Sequence, residues 1–486
     1  MKLLFTHSYF YKFDSKQWAD KRPYPPYGTI YAAALMHQQG YSCSLHDNNL
    51  RDSPVELKVP LSEQQPDCLV IYDDGFNYLT KMCLTKMREA AFEMIRMGKE
   101  KGCTVILSSS DSTDHYGEYL IKGADYVLLG EGELTLLELI KKVEKGPVTD
   151  KQSILGIAYK DQHGTVVQNP RRPVIKQLDD LPDPLWELVD VAAYQKIWMD
   201  AHGYFSLNIA TTRGCPYKCN WCAKPIYGNR YNSRSPKRVV AELQQLSQQY
   251  GADYFWVCDD IFGLKPGWVQ QFRNLLEAEN LKIRYKIQSR VDLLLKEDSI
   301  EALAASGLDT VWVGAESGSQ KILDAMDKGT ELRQIYEATE LLQSKGVKVA
   351  FFLQFGYLGE QMEDIQQTIN MVLRAMPDDI GISVSYPLPG TTFYDRVKAQ
   401  LQQKQNWEDS DDLDMMYEAT YSAQFYKRLH RYVHKVFRRK QGWNNLKLMV
   451  RKPQKLLNKQ ILRSALLIFY YTPGVWIDQY RLQKLS

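Results

Sequence analysis

Short apolar stretches alternate with amphipathic helical stretches along the first 150 residues of the chain. The runs CLVIY, TVILS and YVLLG are apolar at almost every position, which is typical of parallel strands that are covered on both faces. The pattern predicts strands at 2–6, 41–46, 67–72, 104–108 and 125–129, and helices at 28–39, about 79–101 and 134–145. This alternation predicts an α/β domain over residues 1–150.

We predict that these strands form a doubly wound parallel sheet of the Rossmann or flavodoxin type. Ligands of such sheets bind at the carboxyl ends of the strands. The segments THS, DDG, SSSD and GEGE stand at those ends here, and their small residues would let a large ligand approach the backbone. Glycine and serine are also ordinary turn residues, so these segments alone leave both interpretations open.

A second alternation of strands and helices begins near residue 206. Between the two lies a predicted connector at 151–195, made of a hairpin with its turn at Asp161 to Gly164 and a proline-rich stretch. The later strands are predicted at 206–212, 254–258, 283–288, 310–314, 348–354 and 380–385, and the helices at about 236–250, 267–279, 297–306, 331–345, 361–376 and 392–403. Ser235 and Pro236 form a good start signal for the first of these helices. Six such units predict a partial (β/α)6 TIM-type barrel over 196–405, with its site at the carboxyl ends of the strands.

The C-terminal region, 406–486, is predicted to be helical and basic. The stretch EDSDDLD at 408–414 holds five carboxylates, whereas 419–477 holds none, and 13 lysines and arginines lie between Lys427 and Arg463. One interpretation is a solvated helical face that meets the acidic stretch. Another is a surface for an anionic substrate, anionic lipid or nucleic acid. The segment ILRSALLIFYYTPGVW is then either an interfacial anchor or a core helix.

Composition narrows the class of protein. A chain of 486 residues with 44% hydrophobic and 24% charged residues is typical of a folded protein of two or three domains. Its net charge of +3 is too small for the whole chain to bind polyanions. No apolar run approaches the ~20 residues that span a bilayer, and the N-terminus does not resemble a secretory signal, so we expect a cytoplasmic protein. We expect the scattered Cys43, Cys68, Cys83, Cys103 and Cys258 to be small core residues.

Three further cysteines lie close together in the segment RGCPYKCNWC, directly after the first strand of the predicted barrel. Cys215, Cys219 and Cys222 can point at one [4Fe–4S] cluster, and three thiolates leave the fourth iron without a protein ligand. The alternative is half of a structural zinc site, which requires a fourth ligand such as His202, because the sequence offers no second CxxC pair.

Several motifs occur in a characteristic order. They are RPYPPYGTIYAAAL, ADYVLLGEGE, LDDLPDPLWELVD, TTRGCPYKCNWC, RSPKRVVAEL, DDIFG, GAESGS and YPLPGT. Together they resemble the radical S-adenosylmethionine (SAM) enzymes, and within them the branch with an N-terminal cobalamin-binding domain. The resemblance covers about residues 1–400 and implies that Cys215, Cys219 and Cys222 ligate the cluster.

The resemblance also implies residues that contact SAM. Trp221 would lie near the adenine, although core packing explains it equally well. Asp259 and Asp260 would face the methionine amino group or the substrate, and adjacent residues point in opposite directions, so one of the two lines the site. The remaining implied contacts are Gln288 and Arg290 after the third strand, with a surface salt bridge as the alternative for Arg290, and Glu316 and Ser317 after the fourth.

The corrin of cobalamin would lie against the loops of the N-terminal domain. The residues implied are Tyr27, Gly28, Ser108, Ser110, Asp111, Gly130, Glu131 and Gly132. The DxHxxG motif that supplies a histidine ligand to cobalt is absent. His115 lies near one of these loops, but a lone histidine at a helix start is typical of a surface residue.

The activity implied is reductive cleavage of SAM to a 5′-deoxyadenosyl radical, followed by cobalamin-dependent methyl transfer to an unactivated carbon. One alternative is a radical cyclase or rearrangement enzyme that transfers no methyl group. Another is a nucleic-acid-binding module with a structural metal, which the modest net charge disfavours. The implied partners are a small-molecule or lipid-like substrate and a low-potential electron donor such as flavodoxin or ferredoxin. No catalytic acid or base is assigned.

Overall fold

The computed structural model describes residues 1–77, 80–81, 84–401, 406–408, 412–451 and 459–485. Cys83, the start of the predicted helix 79–101, the end of the predicted helix 392–403 and positions 409–411 of the acidic stretch lie outside the described residues. The chain divides into two compact units. The first comprises Met1–Tyr217, Ala223–Ile287 and Asn406–Asp412, and the second comprises Lys218–Cys222, Gln288–Gln405 and Leu413–Ser486.

The N-terminal part of the first unit is built around a seven-stranded sheet. Its strands are β1 (Lys2–Thr6), β2 (Ser42–His46), β3 (Cys68–Tyr72), β4 (Thr104–Ser108), β5 (Tyr126–Leu128), β6 (Ile157–Lys160) and β7 (Val166–Gln168), in the order β2-β1-β3-β4-β5-β6-β7. The first five pair in parallel, which confirms the parallel α/β prediction, and the last two pair antiparallel. The hairpin predicted to be part of a connector therefore extends this sheet, while the predicted domain boundaries remain predictions.

Helices alternate with these strands along the chain, and several of them bury an apolar face. They are α1 (Ser15–Asp20), α2 (Tyr27–Gln38), α3 (Lys58–Gln64), α4 (Thr85–Glu100), α5 (Ser110–Asp114), α6 (Tyr116–Ile121), α7 (Glu133–Val143) and α8 (Val191–His202). Met94 and Ile95 of α4 belong to one buried cluster with Leu69 of β3 and Val105 of β4. This cluster is the apolar core on one side of the sheet.

Three parallel strands follow in the chain, and the last of them ends in the second unit. They are β8 (Ser206–Ile209), β11 (Tyr254–Val257) and β12 (Arg284–Ser289), and β11 pairs with both of the others. A short antiparallel pair, β9 (Thr212–Arg213) and β10 (Asn232–Ser233), follows β8. The helices are α9 (Pro236–Tyr250) and α10 (Trp268–Ala278). The predicted cap is confirmed, since the Ser235 side chain accepts from the backbone N–H of Arg238.

The second unit holds the remaining strands, β13 (Leu308–Glu316), β14 (Lys348–Phe355) and β15 (Asp379–Val384), which pair in parallel in this order. Its helices are α11 (Val291–Leu294), α12 (Ser299–Ala305), α13 (Gln320–Ala325), α14 (Leu332–Ser344), α15 (Met362–Ala375) and α16 (Thr392–Val397). All six strands predicted for the second half of the chain are therefore present. Closure into a barrel remains a prediction.

The chain ends in three helices, α17 (Ala423–Arg451), α18 (Lys459–Leu466) and α19 (Ile468–Gln483), as the composition of this region predicts. The carboxylate of Asp478 joins α19 to α17, because Arg428 lies 2.8 Å and Lys435 lies 2.7 Å from its two oxygens. Lys427 pairs with Asp414 at 2.6 Å, which is one contact between the basic helix and the acidic stretch. None of the helices in the described part of the chain has the length and apolar character needed to cross a membrane.

Candidate active site

The cysteine loop leaves β9 through Gly214. The backbone φ of Gly214 is 79°, and a Cβ at this position would stand 2.4 Å from the carbonyl oxygen of Arg230. Any side chain here would therefore clash with the backbone as well as strain it. The sequence Arg213-Gly214-Cys215 can turn sharply out of the strand only because its middle residue is glycine.

The three motif cysteines are partly exposed. Cys215 belongs to the first unit, and Cys219 and Cys222 belong to the second. Within the residues that the structure describes, no group of three histidine, cysteine, aspartate or glutamate side chains forms a metal site. The donor chemistry nevertheless fits an iron–sulfur cluster, since three accessible thiols within eight residues supply all but one of its ligands.

Asp259, which follows β11, holds the segment that leads into the cysteine loop. Its Oδ1 accepts the backbone N–H groups of Thr211 at 2.7 Å and Thr212 at 3.0 Å, and its Oδ2 accepts the Thr211 hydroxyl. Burial raises the pKa of Asp259 to about 6, and the hydrogen bonds from the two threonines oppose that rise. The neighbouring Asp260 points elsewhere and pairs with Lys81. The prediction that the two adjacent carboxylates face different surroundings agrees with this geometry.

We expect Asp259→Ala to loosen the start of the cysteine loop. The substitution leaves two buried N–H groups and one hydroxyl without their acceptor, which costs about 3 kcal/mol in total. Amide hydrogen exchange at Thr211 and Thr212 should then accelerate on the order of 100-fold. Asp260→Ala is the matched control, because its pair with Lys81 is partly exposed and contributes at most about 1 kcal/mol. Equal exchange rates in the two variants would contradict this role of Asp259.

Arg213 lies in a buried cluster of charges and rings. Its guanidinium is 2.6 Å from Oε1 of Glu131 and 2.8 Å from Oε1 of Glu133, and all three side chains are buried. The rings of Tyr31 and Tyr227 lie within 5.1 and 5.5 Å of the guanidinium carbon. Glu131, predicted to contact the corrin, therefore fixes the residue that stands two positions before Cys215.

The other predicted corrin contacts also have protein partners. The Tyr27 hydroxyl donates to Glu242 at 3.1 Å, and the Gly28 N–H donates to Asp74 at 3.1 Å. Arg88 binds both oxygens of Asp111, at 2.7 and 2.5 Å. Ser108 and Ser110 are buried at the carboxyl end of β4.

Gly130 and Gly132 each allow a close approach between protein atoms. A Cβ on Gly130 would lie 3.2 Å from the carbonyl oxygen of Ile226, and one on Gly132 would lie 2.8 Å from the hydroxyl of Ser108. These glycines thus have a packing role of their own, whatever ligand the domain binds.

In the second unit, Arg290 lies against the cysteine loop. One guanidinium nitrogen is 3.8 Å from Sγ of Cys219, and the others bind Asp292 at 2.9 Å and the carbonyl oxygen of Lys328 at 2.7 Å. Arg290 directly follows β12, so the carboxyl end of a parallel strand and a motif cysteine meet here. The positive charge of Arg290 therefore lies beside one of the motif cysteines.

Glu316 ends β13 with a left-handed backbone, at a φ of 57°. Its carboxylate is buried and accepts from Lys328 at 2.8 Å. Ser317, the next predicted SAM contact, has its hydroxyl 3.1 Å from that of Thr368 on α15. Gln288, on β12, is partly exposed.

Asn220 was missed by sequence reasoning. Its side-chain N–H groups donate to Ala325 and Asp327 at 2.8 Å, and its side-chain oxygen accepts the Tyr357 hydroxyl at 2.6 Å. Its backbone N–H donates to Met326 at 3.0 Å. Asn220 therefore fixes the loop between Cys219 and Cys222. Its position inside the cysteine motif was the one feature of the sequence that could have indicated this role.

Lys328 was also missed, because the eleven residues between it and Glu316 give no local indication of their contact. The environment of the Trp221 side chain could not be predicted from sequence either. Its indole N–H is buried and has no hydrogen-bond partner among the described residues. A buried donor in that state is a natural contact for a ligand acceptor.

Two histidines considered as metal ligands have other contacts. Nε2 of His202 lies 3.0 and 3.1 Å from the carbonyl oxygens of Asp20 and Lys21. Carbonyl oxygens only accept, so this nitrogen carries a proton and is not a zinc ligand. His115 lies 3.8 Å from Asp111 and from Glu118. These contacts favour the surface interpretation of His115.

Comparison with known proteins shows which family profile contains the cysteine motif. Residues 209–372 match the sequence profile of the Radical SAM superfamily. An uncharacterized methyltransferase from Pyrococcus horikoshii is 30% identical over 292 residues, which are 60% of this chain and 62% of that protein. An anaerobic magnesium-protoporphyrin IX monomethyl ester cyclase from Rubrivivax gelatinosus is 26% identical over 407 residues, which are 82% of this chain and 70% of that protein. The chain thus spans less than two thirds of the Pyrococcus relative.

The fold has a counterpart among solved structures. The cobalamin-dependent S-adenosylmethionine radical enzyme OxsB, with aqua-cobalamin bound, matches with a TM-score of 0.73 at 16% identity, over 97% of this chain and 72% of that one. Residues 209–372 therefore carry the profile of the radical S-adenosylmethionine superfamily, and the fold of the chain is similar to that of OxsB.

Proposed function

We propose that this protein cleaves SAM reductively at a [4Fe–4S] cluster held by Cys215, Cys219 and Cys222, and directs the 5′-deoxyadenosyl radical to cobalamin-dependent methyl transfer onto an unactivated carbon. The observation that carries the proposal is the contact of Arg290 with Cys219 inside the matched segment. When bound, the cluster supplies the electron that breaks a carbon–sulfur bond of SAM, and cobalamin supplies the carrier of the methyl group.

The residues around the cysteines prepare them for this role. Asp292 and the backbone carbonyl of Lys328 hold the guanidinium of Arg290. The positive charge therefore stays beside Cys219. A fixed cation would stabilise the negatively charged cluster that Cys219 helps to hold. Asn220 holds the backbone between the second and third cysteines, which limits how far their thiols can diverge.

We propose two different roles for the predicted SAM contacts. We assign Asp259 and Glu316 to positioning, because their carboxylates already bind Thr211 and Lys328. Trp221 is assigned to SAM through its unpartnered indole N–H. Asp260, Gln288, Arg290 and Ser317 remain assigned to SAM as the sequence motifs imply.

For cobalamin, the support is the α/β fold of the N-terminal domain and its likeness to an enzyme solved with aqua-cobalamin. We propose that the corrin lies at the carboxyl ends of β4 and β5, against Ser108, Ser110 and the segment Gly130 to Gly132. Because the chain lacks DxHxxG and His115 faces Asp111, no histidine is assigned to the cobalt. The Rossmann-type sheet and the six-unit barrel of the sequence prediction are part of this proposal.

A second candidate function is radical cyclisation without methyl transfer. It is favoured by one observation, that the alignment with a cyclase covers 82% of this chain whereas the alignment with the Pyrococcus methyltransferase covers 60%. Both candidates begin with the same cleavage of SAM, and both require an external low-potential electron donor of the flavodoxin or ferredoxin type. The substrate is a small molecule or a lipid-like molecule in either case.

Methyl-labelled SAM separates these functions without knowledge of the substrate. The full chain is loaded anaerobically with iron, sulfide and reduced cobalamin and then supplied with labelled SAM and a chemical reductant. We expect 5′-deoxyadenosine to form and label to appear in the protein-bound corrinoid. Formation of 5′-deoxyadenosine without label in the corrinoid would overturn methyl transfer and favour the cyclase. Absence of 5′-deoxyadenosine in fully loaded protein would overturn both.

A further inference from the structure

Helix α19 has two apolar faces. Ile468, Val475 and Leu482 are buried on one of them. Phe469, Pro473, Trp476, Ile477 and Tyr480 are exposed, and at ~100° of rotation per residue they fall within an arc of about 100°. This arc lies opposite the buried face. We call these five residues the outer face of α19.

The apolar side chains of the outer face are strongly exposed to solvent. Phe469 is 80% exposed, Trp476 is 69% exposed and Tyr480 is 59% exposed. Single exposed apolar residues are common on proteins, but contiguous ones mark an interaction surface. Leu466, at the end of α18, is exposed just before this face begins.

A similar stripe occurs on α17. Trp443, Leu446 and Val450 are exposed at helical spacing, and the exposed Lys447 falls between them. The C-terminal helices therefore combine exposed aromatic and aliphatic side chains with lysine and arginine. At the end of α19, Lys484 lies 4.6 Å from the centre of the Tyr480 ring.

The charged side chains of the C-terminal region are almost all cationic. Residues 419–486 contain 15 lysines and arginines and a single carboxylate, Asp478. That carboxylate is 1% exposed and is bound by Arg428 and Lys435. Because the one acidic side chain in this stretch of sequence is buried in ion pairs, the exposed charged side chains among its described residues are cationic.

We propose that the outer face of α19 and the basic residues around it bind the surface of an anionic lipid bilayer. A helix that rests in the interface inserts aromatic and aliphatic side chains below the headgroups, while lysine and arginine contact the lipid phosphates. The aliphatic residues Leu466, Ile477 and Val450 favour a bilayer over nucleic acid, which would use rings and charges but gains little from exposed aliphatic groups. The inference is independent of the reaction assigned above.

Vesicle co-sedimentation of the full chain tests this surface. We expect the protein to sediment with phosphatidylcholine vesicles that contain 30% phosphatidylglycerol, to remain in solution with pure phosphatidylcholine, and to dissociate as salt is raised. The triple variant Phe469→Ser, Trp476→Ser, Tyr480→Ser should bind the anionic vesicles at least about tenfold more weakly, because the inserting side chains are removed. Val59→Ser, Ile121→Ser, Met199→Ser is the matched control, since it removes three exposed apolar side chains from the first unit and should bind as the unaltered chain does.

Three results would overturn the proposal. One is equal affinity of the triple variant and the control for anionic vesicles. Another is binding to a single-stranded RNA homopolymer without binding to vesicles, which would assign the surface to nucleic acid. The last is a dimer in solution that the triple variant converts to a monomer while vesicle binding is absent, which would assign the outer face to a second copy of the chain. Thermal unfolding of both variants shows that they are folded.

Discussion

Cys219→Ala is expected to reduce 5′-deoxyadenosine formation to background and to remove most of the iron bound after anaerobic reconstitution. A [4Fe–4S] cluster that uses three protein thiolates already has one iron without a protein ligand, so loss of a second ligand leaves too few bonds to retain it. Cys219 is the motif cysteine that lies beside the Arg290 guanidinium. Iron content, cluster absorption and 5′-deoxyadenosine are measured on the same preparation.

The control for Cys219 is Cys43→Ala. Cys43 lies in β2, far in sequence from the cysteine loop, and is partly buried, and burial raises the pKa of its thiol to about 12. The control should keep its iron and its activity. If Cys219→Ala retained the iron content of the control and still cleaved SAM, the assignment of the cysteine loop would be wrong.

The elements of the fold could be predicted because each depends on local sequence. Continuous apolar runs indicate buried parallel strands, and the six strands of the second half appear within a few residues of their predicted positions. Ser235 and Pro236 mark a helix start by local hydrogen bonding and fixed φ. The cysteine loop was recognisable for the same reason, since its chemistry is contained within ten consecutive residues.

The contacts that position the site were not predictable in this way. Arg213 and Glu131 are 82 residues apart, and Lys81 reaches Asp260 across 179 residues. A single sequence does not show which distant charges pair, because folding brings them together through the sheet and not through any local pattern. The hairpin at 157–168 shows the same limit, since its strands were recognised but their attachment to β5 was not.

We expect Arg213→Met to destabilise the first unit strongly. Methionine removes the cation and leaves the carboxylates of Glu131 and Glu133 buried, and breaking a buried ion pair from one side costs about 3–5 kcal/mol. The Arg172→Met control breaks a pair with Glu138 that is partly exposed, which costs at most about 1 kcal/mol. Thermal unfolding and hydrogen exchange of residues 130–136 measure both variants.

The loss of stability caused by Arg213→Met should depend on pH, and this dependence tests whether the loss is electrostatic in origin. Burial raises the pKa of Glu131, and the charge of Arg213 opposes that rise. Without Arg213 the pKa in the folded protein rises further above its unfolded value. Protonation then relieves the buried charge, so the penalty of Arg213→Met should shrink as pH falls and grow as pH rises through that pKa. Adding Glu131→Gln and Glu133→Gln should recover much of the lost stability at neutral pH, because no buried charge remains. A penalty that is independent of pH, or that the two glutamine substitutions increase, would mean that Arg213 acts through packing against Tyr31 and Tyr227 instead.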